Sequence, residues 1–298
     1  MQKNYEKLLP EYDDGRFFVS PVLGCIGGCA YCYLPVKNYT VPKKNDISVS
    51  EIKNIAESIK EFVFGREGTI ISVGAWGDIF PAHSEEITTH SVELILELLT
   101  WENPIQIMSK NAPSEELIDK IAAAVRYEGQ LLYSTTITTI KRWKEIEPNT
   151  ASPEERLNVC QMFKKRGIST NVEIKPFIGG VTDAEIEIIS KQLVEHNIDY
   201  CVVGVLYYNE NVLQNLSRIT RLAEAEGQKN HLDCNGNIPL ESTSIMALRK
   251  HILYLRSKGI NAFAKSSCVN ANILKCKNPS GYYDKENEYC IMCGNCSE

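Results

Sequence analysis

Six short runs of β-branched and aromatic residues alternate with six stretches of helical periodicity between residues 17 and 227, and this alternation narrows the possible folds more than any other feature. The runs are FFVSPVL (17–23), TIISVGAW (69–76), PIQIMSK (104–110), LLYSTTITT (131–139), STNVEIKPF (169–177) and DYCVVGVLY (199–207). Helical stretches begin at Ile47, Ile87, Ser114, Ser152, Asp183 and Asn209. Strands that are apolar on both faces and joined by helices belong to a parallel sheet. Six βα units curl such a sheet without closing an eight-stranded barrel. The expected fold class is therefore α/β, a partial (β/α)6 TIM-like barrel with its working residues at the C-terminal strand ends. Two helix starts carry capping signatures, Ser152 with Pro153 and Glu155, and Thr182 with Glu185. The expected division is a barrel over 1–240, followed over 241–298 by one more helix and a small Cys-rich C-terminal extension.

After the first run, GCIGGCAYCY (24–33) places Cys25, Cys29 and Cys32 in a glycine-rich turn. The polar start MQKNYEKLLPEYDDGR has no apolar signal core, and no run approaches the roughly 18 apolar residues of a membrane span. The expectation is a cytoplasmic protein without a membrane partner, in which the eleven cysteines are reduced and clustered ones are metal ligands. Glycines let backbone N–H groups turn inward around a compact anionic object. Zinc normally closes with four ligands, often on two CxxC arms. Three thiolates suit a 4Fe-4S cluster with one iron free of protein ligands, with zinc and plain buried thiols as the competing readings.

CxxxCxxC with an aromatic residue, Tyr31, before the last cysteine resembles the signature of the radical S-adenosylmethionine (SAM) enzymes. The order SPVLGCIGGCAYCY, GDIFPAHSEE, IQIMSKN, STTITTI followed by KEIEPNTASPEERL, and PFIGG resembles the branch that includes the spore photoproduct lyases, over roughly residues 17 to 210. The resemblance implies that Cys25, Cys29 and Cys32 hold a SAM-binding 4Fe-4S cluster whose open iron takes the amino and carboxylate groups of the cofactor. One electron then breaks the sulfonium carbon–sulfur bond, and the resulting 5′-deoxyadenosyl radical takes a hydrogen atom from an organic substrate. An oxygen-sensitive protein and a one-electron donor such as flavodoxin or ferredoxin are implied with it.

The resemblance places SAM contacts at successive strand ends, beside Tyr31. Gly77 and Asp78 would receive the methionine ammonium, with a helix cap as the alternative role for Asp78. Ser109 and Lys110 would meet the carboxylate, unless the lysine is only solvated surface. Thr135 and Thr136 face opposite sides of one strand, so only one can look inward at the ribose. Glu173 interrupts an apolar run and faces either the cavity or water. Arg156 lies in a first helical turn where the dipole opposes its charge, which calls for a partner such as the cofactor carboxylate, Glu147 or a surface carboxylate.

CIMCGNC supplies Cys290, Cys293 and Cys296, with Cys276 as a candidate fourth ligand and Cys268 as a surplus thiol. These four cysteines suit an auxiliary 4Fe-4S cluster, with zinc as the alternative metal. Cys160 and Cys201 read as core residues. Cys234, Tyr207 and Tyr208 are candidates for a catalytic role. Spore photoproduct lyases carry a hydrogen-donating cysteine in the barrel, whereas no cysteine occurs here between Cys32 and Cys160. The net charge of −6 also gives little grip on a duplex. A peptide or small molecule is thus the expected substrate ahead of nucleic acid, although KRWK (141–144) and KKR (164–166) are either phosphate contacts or solvated faces. A non-catalytic iron-sulfur electron carrier is the remaining alternative.

Overall fold

The computed structural model describes residues 7–82, 84–219, 228–232, 238–242, 245–276 and 278. The chain opens with a hairpin of β1 (Glu11–Asp13) and β2 (Arg16–Val19). β3 (Val22–Leu23) and β4 (Lys43–Lys44) then bracket the cysteine loop. There follow α1 (Val49–Ser58), β5 (Ile70–Val73), α2 (Glu85–Leu99), β6 (Ile105–Met108), α3 (Glu115–Ala123) and β7 (Leu131–Thr136). Next come α4 (Trp143–Ile146), α5 (Pro153–Lys164), β8 (Ser169–Ile174), α6 (Thr182–Glu195), β9 (Tyr200–Val203), β10 (Tyr207–Tyr208) and α7 (Glu210–Ser217). The described chain closes with β11 (Gln228–Leu232), β12 (Ile238–Ser242), α8 (Ile245–Ser257), β13 (Asn261–Phe263) and α9 (Ser266–Leu274).

The main sheet runs β1-β2-β5-β6-β7-β8-β9-β13, parallel throughout except for β1 at its edge. Alternation along the strands sorts the two faces. Phe17, Val19, Ile71, Val73, Ile105, Ile107, Tyr133, Val172, Ile174, Cys201 and Val203 enter the core beneath the helices, where Tyr133 stacks on Phe163 of α5 at 4.2 Å. The intervening residues Ser72, Gln106, Ser134, Asn171 and Glu173 line the inner face and are buried, so this part of the barrel interior is polar.

The expected partial barrel is present, with several differences in detail. The first run divides at Ser20 and Pro21, because Asn45 turns the backbone out of the sheet: its N–H donates to the Pro21 carbonyl (2.8 Å) and its Nδ2 to the Ser20 carbonyl (2.9 Å). Tyr207 and Tyr208 do not extend β9 but pair antiparallel with β12 in a separate three-stranded sheet with β11. A seventh parallel strand, β13, lies beyond residue 240, and Leu248, Ile252 and Leu255 of α8 join the main core with it. Ser152 forms the expected capping box with Glu155. Thr182 and Glu185 do not: the Glu185 carboxylate instead accepts from Thr139 Oγ1 (2.9 Å) and the N–H groups of Ile140 (2.7 Å) and Lys141 (3.0 Å), tying down the turn after β7.

Helix α9 fills the inner face that the incomplete barrel leaves open. Cys268 and Val269 pack on Leu132, Val202 and Phe263, and Ser266 Oγ donates to Glu173 Oε1 at 2.5 Å. The far end of α9 reaches the N-terminal strand ends, where Ile273 approaches Gly129 so closely that a Cβ there would meet its Cγ2 at 2.7 Å. Just before α9, Lys265 Nζ pairs with Asp14 at 2.8 Å, linking the turn of the β1–β2 hairpin to the segment after β13.

Candidate active site

The cysteine loop is pressed onto the end of β5 by two glycines. Gly24 holds φ at +90°, and its N–H donates to the Trp76 carbonyl at 2.8 Å. A Cβ on Gly77 would lie 2.7 Å from the Gly24 carbonyl oxygen, so neither position has room for a side chain. Within the loop, Gly27 N–H donates to Cys25 Sγ at 3.2 Å. A Cβ at Gly27 would stand 3.2 Å from Cys25 Sγ and 3.6 Å from Cys29 Sγ, in the space between the sulfurs.

Cys25, Cys29 and Cys32 all line one cavity of about 280 Å³ at the C-terminal ends of the central strands. Among the described residues no three His, Cys, Asp or Glu side chains close around a single metal ion. Three thiols on one cavity, with Gly27 leaving open the space beside two of their sulfurs, are a donor set that fits a thiolate-held cluster. Burial pushes all three thiols up, Cys29 to about 12.

Of the strand-end candidates, Gly77, Asp78, Ser109, Lys110, Thr136, Glu173 and Tyr31 line this cavity. Asp78 Oδ1 accepts from Ser109 Oγ (2.6 Å) and Phe80 N–H (3.0 Å), and Oδ2 accepts from Lys110 N–H (2.9 Å), so the carboxylate fastens β5 to β6. Lys110 Nζ lies 5.5 Å from the Tyr31 ring centre. Burial works against its charge, but Cys29 and Glu147 outweigh it and raise the pKa. Thr135 turns away and donates to the Ser109 carbonyl (2.8 Å), leaving Thr136 as the member of the pair that looks inward. Glu173 Oε1 also accepts from Gln106 Nε2 at 3.3 Å.

Arg156 does not line the cavity. It is fully buried, donating from Nη1 to Glu147 Oε2 (2.6 Å) and the Thr136 carbonyl (2.8 Å), from Nε to the Ala151 carbonyl (2.7 Å), and from Nη2 to Thr150 Oγ1. The other oxygen of Glu147 accepts from the Tyr31 hydroxyl. This pair therefore braces the cysteine loop through Tyr31.

Tyr207 lines the cavity, whereas Tyr208 packs with Ile146, Ile178 and Leu206. Cys160 and Cys201 are buried core thiols. Cys268 is buried and accepts from Asn278 Nδ2 (3.1 Å), while Cys276 is exposed beside Glu67 and Tyr127, at the N-terminal strand ends opposite the cavity. Cys234, Cys290, Cys293 and Cys296 lie outside the described residues. Lys164 pairs with Asp199 and Arg166 with Asp119 and Glu115, so part of the KKR segment is occupied at the surface. Trp143 and Lys144 of KRWK line a wider groove of about 1320 Å³ on the other side of the cysteine loop, with Ile26 and Asn149.

Among the charged residues that line the cavity, sequence reasoning missed Lys175. The available signal was its spacing of two from Glu173, which puts both on the same face of the chain after an inward-facing strand.

A family model for the radical SAM superfamily matches residues 19–193. No curated protein matches the chain. Among solved structures, a spore photoproduct lyase variant with bound AdoMet and dinucleoside spore photoproduct is similar at 14% identity and a TM-score of 0.62, covering 83% of this chain and 75% of that one. A second lyase variant gives 16% identity, a TM-score of 0.64 and coverages of 88% and 79%. The radical SAM methyltransferase TsrM from Kitasatospora setae, with tryptophan substrate and a SAM analogue bound, gives 15% identity and a TM-score of 0.50, covering 81% of this chain and 51% of that one. Among the described residues no helix is long and apolar enough to cross a membrane.

Proposed function

The chain belongs to the radical SAM superfamily, and on that premise we propose that Cys25, Cys29 and Cys32 hold its 4Fe-4S cluster while Lys110, Thr136 and Glu173 face the bound SAM. It is a radical SAM enzyme. The observation that supports these assignments is that the three thiols and the polar strand ends line a single cavity. When bound, the cluster and SAM supply a 5′-deoxyadenosyl radical. The protein's part is to bind, orient and exclude water. Lys110 offers an ammonium to the SAM carboxylate, and Asp78 sets where that lysine begins by accepting its backbone N–H. Gly77 leaves the loop close to β5, and Arg156 acts at a distance, through Glu147 and Tyr31, as a positioning residue.

The substrate in this reading is a peptide or small molecule, and the electron comes from a flavodoxin- or ferredoxin-like donor in the cytoplasm. An auxiliary 4Fe-4S cluster on Cys276, Cys290, Cys293 and Cys296 completes it, with zinc as the rival metal. Of these four, Cys276 is the one among the described residues, and it is at the opposite end of the barrel from the cavity. A nucleic-acid substrate is the second reading, favoured by Trp143 and Lys144 beside the cysteine loop and by the dinucleoside bound in a structural neighbour. Anaerobically reconstituted, reduced protein should convert SAM to 5′-deoxyadenosine. Absence of that product from cluster-loaded protein would overturn the assignment.

A further inference from the structure

The cavity holds a second lysine to which the proposed function gives no role. The stem of Lys175 lies across Gly204, where a Cβ would stand 2.6 Å from both its Cγ and its Cδ. Glycine at 204 is therefore what gives the stem its place. Nζ lies 5.9 Å from the centre of the Tyr207 ring, and both residues line the cavity on its β8–β9 side, with Lys110 on the β6 side. Among the described residues the Lys175 ammonium donates no hydrogen bond and closes no ion pair.

The charges facing Lys175 are Glu173, Arg16, Lys265 and Asp14. Lys265 is paired with Asp14, and Glu173 already accepts from Ser266 and Gln106. Counting Lys175, three cations meet two carboxylates around its ammonium, with Asp14 shared between Lys265 and, at 3.9 Å, Arg16. Arg16 Nε adds a buried donor without a partner. Burial lowers the Lys175 pKa, and the Glu173 carboxylate offsets that only in part. Keeping such a group inside a fold costs free energy unless a ligand anion offsets it.

We propose that Lys175 anchors an oxyanion of the substrate, a carboxylate or a phosphate, on the β8–β9 side of the cavity. This deepens the proposed radical SAM function and rests on it. Recognition by a single buried ammonium favours anionic substrates and rejects neutral analogues, whose binding would leave the charge unpaired.

The test uses the full chain with its cluster reconstituted and SAM bound. Formation of 5′-deoxyadenosine by the wild type is measured first, and its absence counts against the functional reading alone. Binding of inorganic phosphate and of acetate is then followed by NMR line broadening. At least one should bind, with phosphate preference indicating a phosphoryl group and acetate preference a carboxylate. Lys175→Met should weaken that binding about tenfold, the loss of one charge-assisted contact, while Lys175→Arg retains it and SAM affinity stays unchanged in both. Gly204→Ala, which displaces the lysine stem without removing its charge, should also weaken anion binding and decides the matter if Lys175→Met fails to fold. Failure of both anions to bind, unaltered binding in the Lys175→Met or Gly204→Ala protein, or a loss of SAM affinity in Lys175→Met would overturn the proposal.

Discussion

Arg156 and Glu147 have no exposed surface, and each is the other's counter-ion at 2.6 Å. Removing one leaves a buried charge alone, so Arg156→Met should cost about 3–5 kcal/mol in urea unfolding, and adding Glu147→Leu should recover part of the loss. Gly27 tests the cradle between the sulfurs. Its backbone φ lies outside the left-handed range, so Gly27→Val should leave the melting temperature nearly unchanged but cut iron uptake sharply, as iron analysis would show. The cysteines were legible because their spacing is itself the signal. The role of Arg156 was legible as far as its need for a partner, with Glu147 among the candidates, and the structure pairs the two; the choice among candidates was not, because the non-helical 147–152 segment has no periodicity to read. Lys175 was missed because a charged residue ending a strand reads as surface, and only Gly204, 29 positions away, gives it an inward path.

At the level of elements, a cap signature holds only when nothing competes for its carboxylate. Ser152 and Glu155 bond each other across the first turn of α5, and Ser152→Ala should lower stability by about 1 kcal/mol in thermal or urea unfolding. Glu185 had three donors waiting in the turn after β7, a tertiary demand that four residues of sequence do not reveal. Asp78 is the comparable link between β5 and β6. Asp78→Ala should leave the circular dichroism spectrum unchanged while weakening SAM binding about tenfold, because Lys110 loses the contact that fixes its backbone. The long strands were legible from their β-branched runs, whereas β13, three residues long, offers no run at all.

For the whole molecule, the candidate metal ligands among the described residues divide between the two ends of the barrel. The three loop thiols open at the C-terminal strand ends, and Cys276 leaves α9 at the other end. Removing residues 277–298 should therefore reduce the iron content from about eight to about four per chain and leave SAM cleavage intact. An unchanged iron content would remove the auxiliary cluster from the proposal, and stoichiometric zinc in the full chain would replace it. The overall architecture could be read from six βα units, but the occupant of the open barrel could not. Cys268 reads in the sequence as a surplus thiol of the Cys-rich tail, and only the inner faces of β7, β9 and β13 around it and Val269 show it as a packing residue.

The bond between Lys265 and Asp14 joins residues 251 positions apart in the chain. During synthesis, at about 5–20 residues per second, the cysteine loop leaves the ribosome early, and the residue that latches the sheet follows after more than ten seconds. Until then neither Lys265 nor α9 is there to occupy its place, and the inner faces of β7 and β9 stay uncovered. The order of residues along the chain is thus also a timetable, in which the cysteine loop is made before the barrel can be closed behind it.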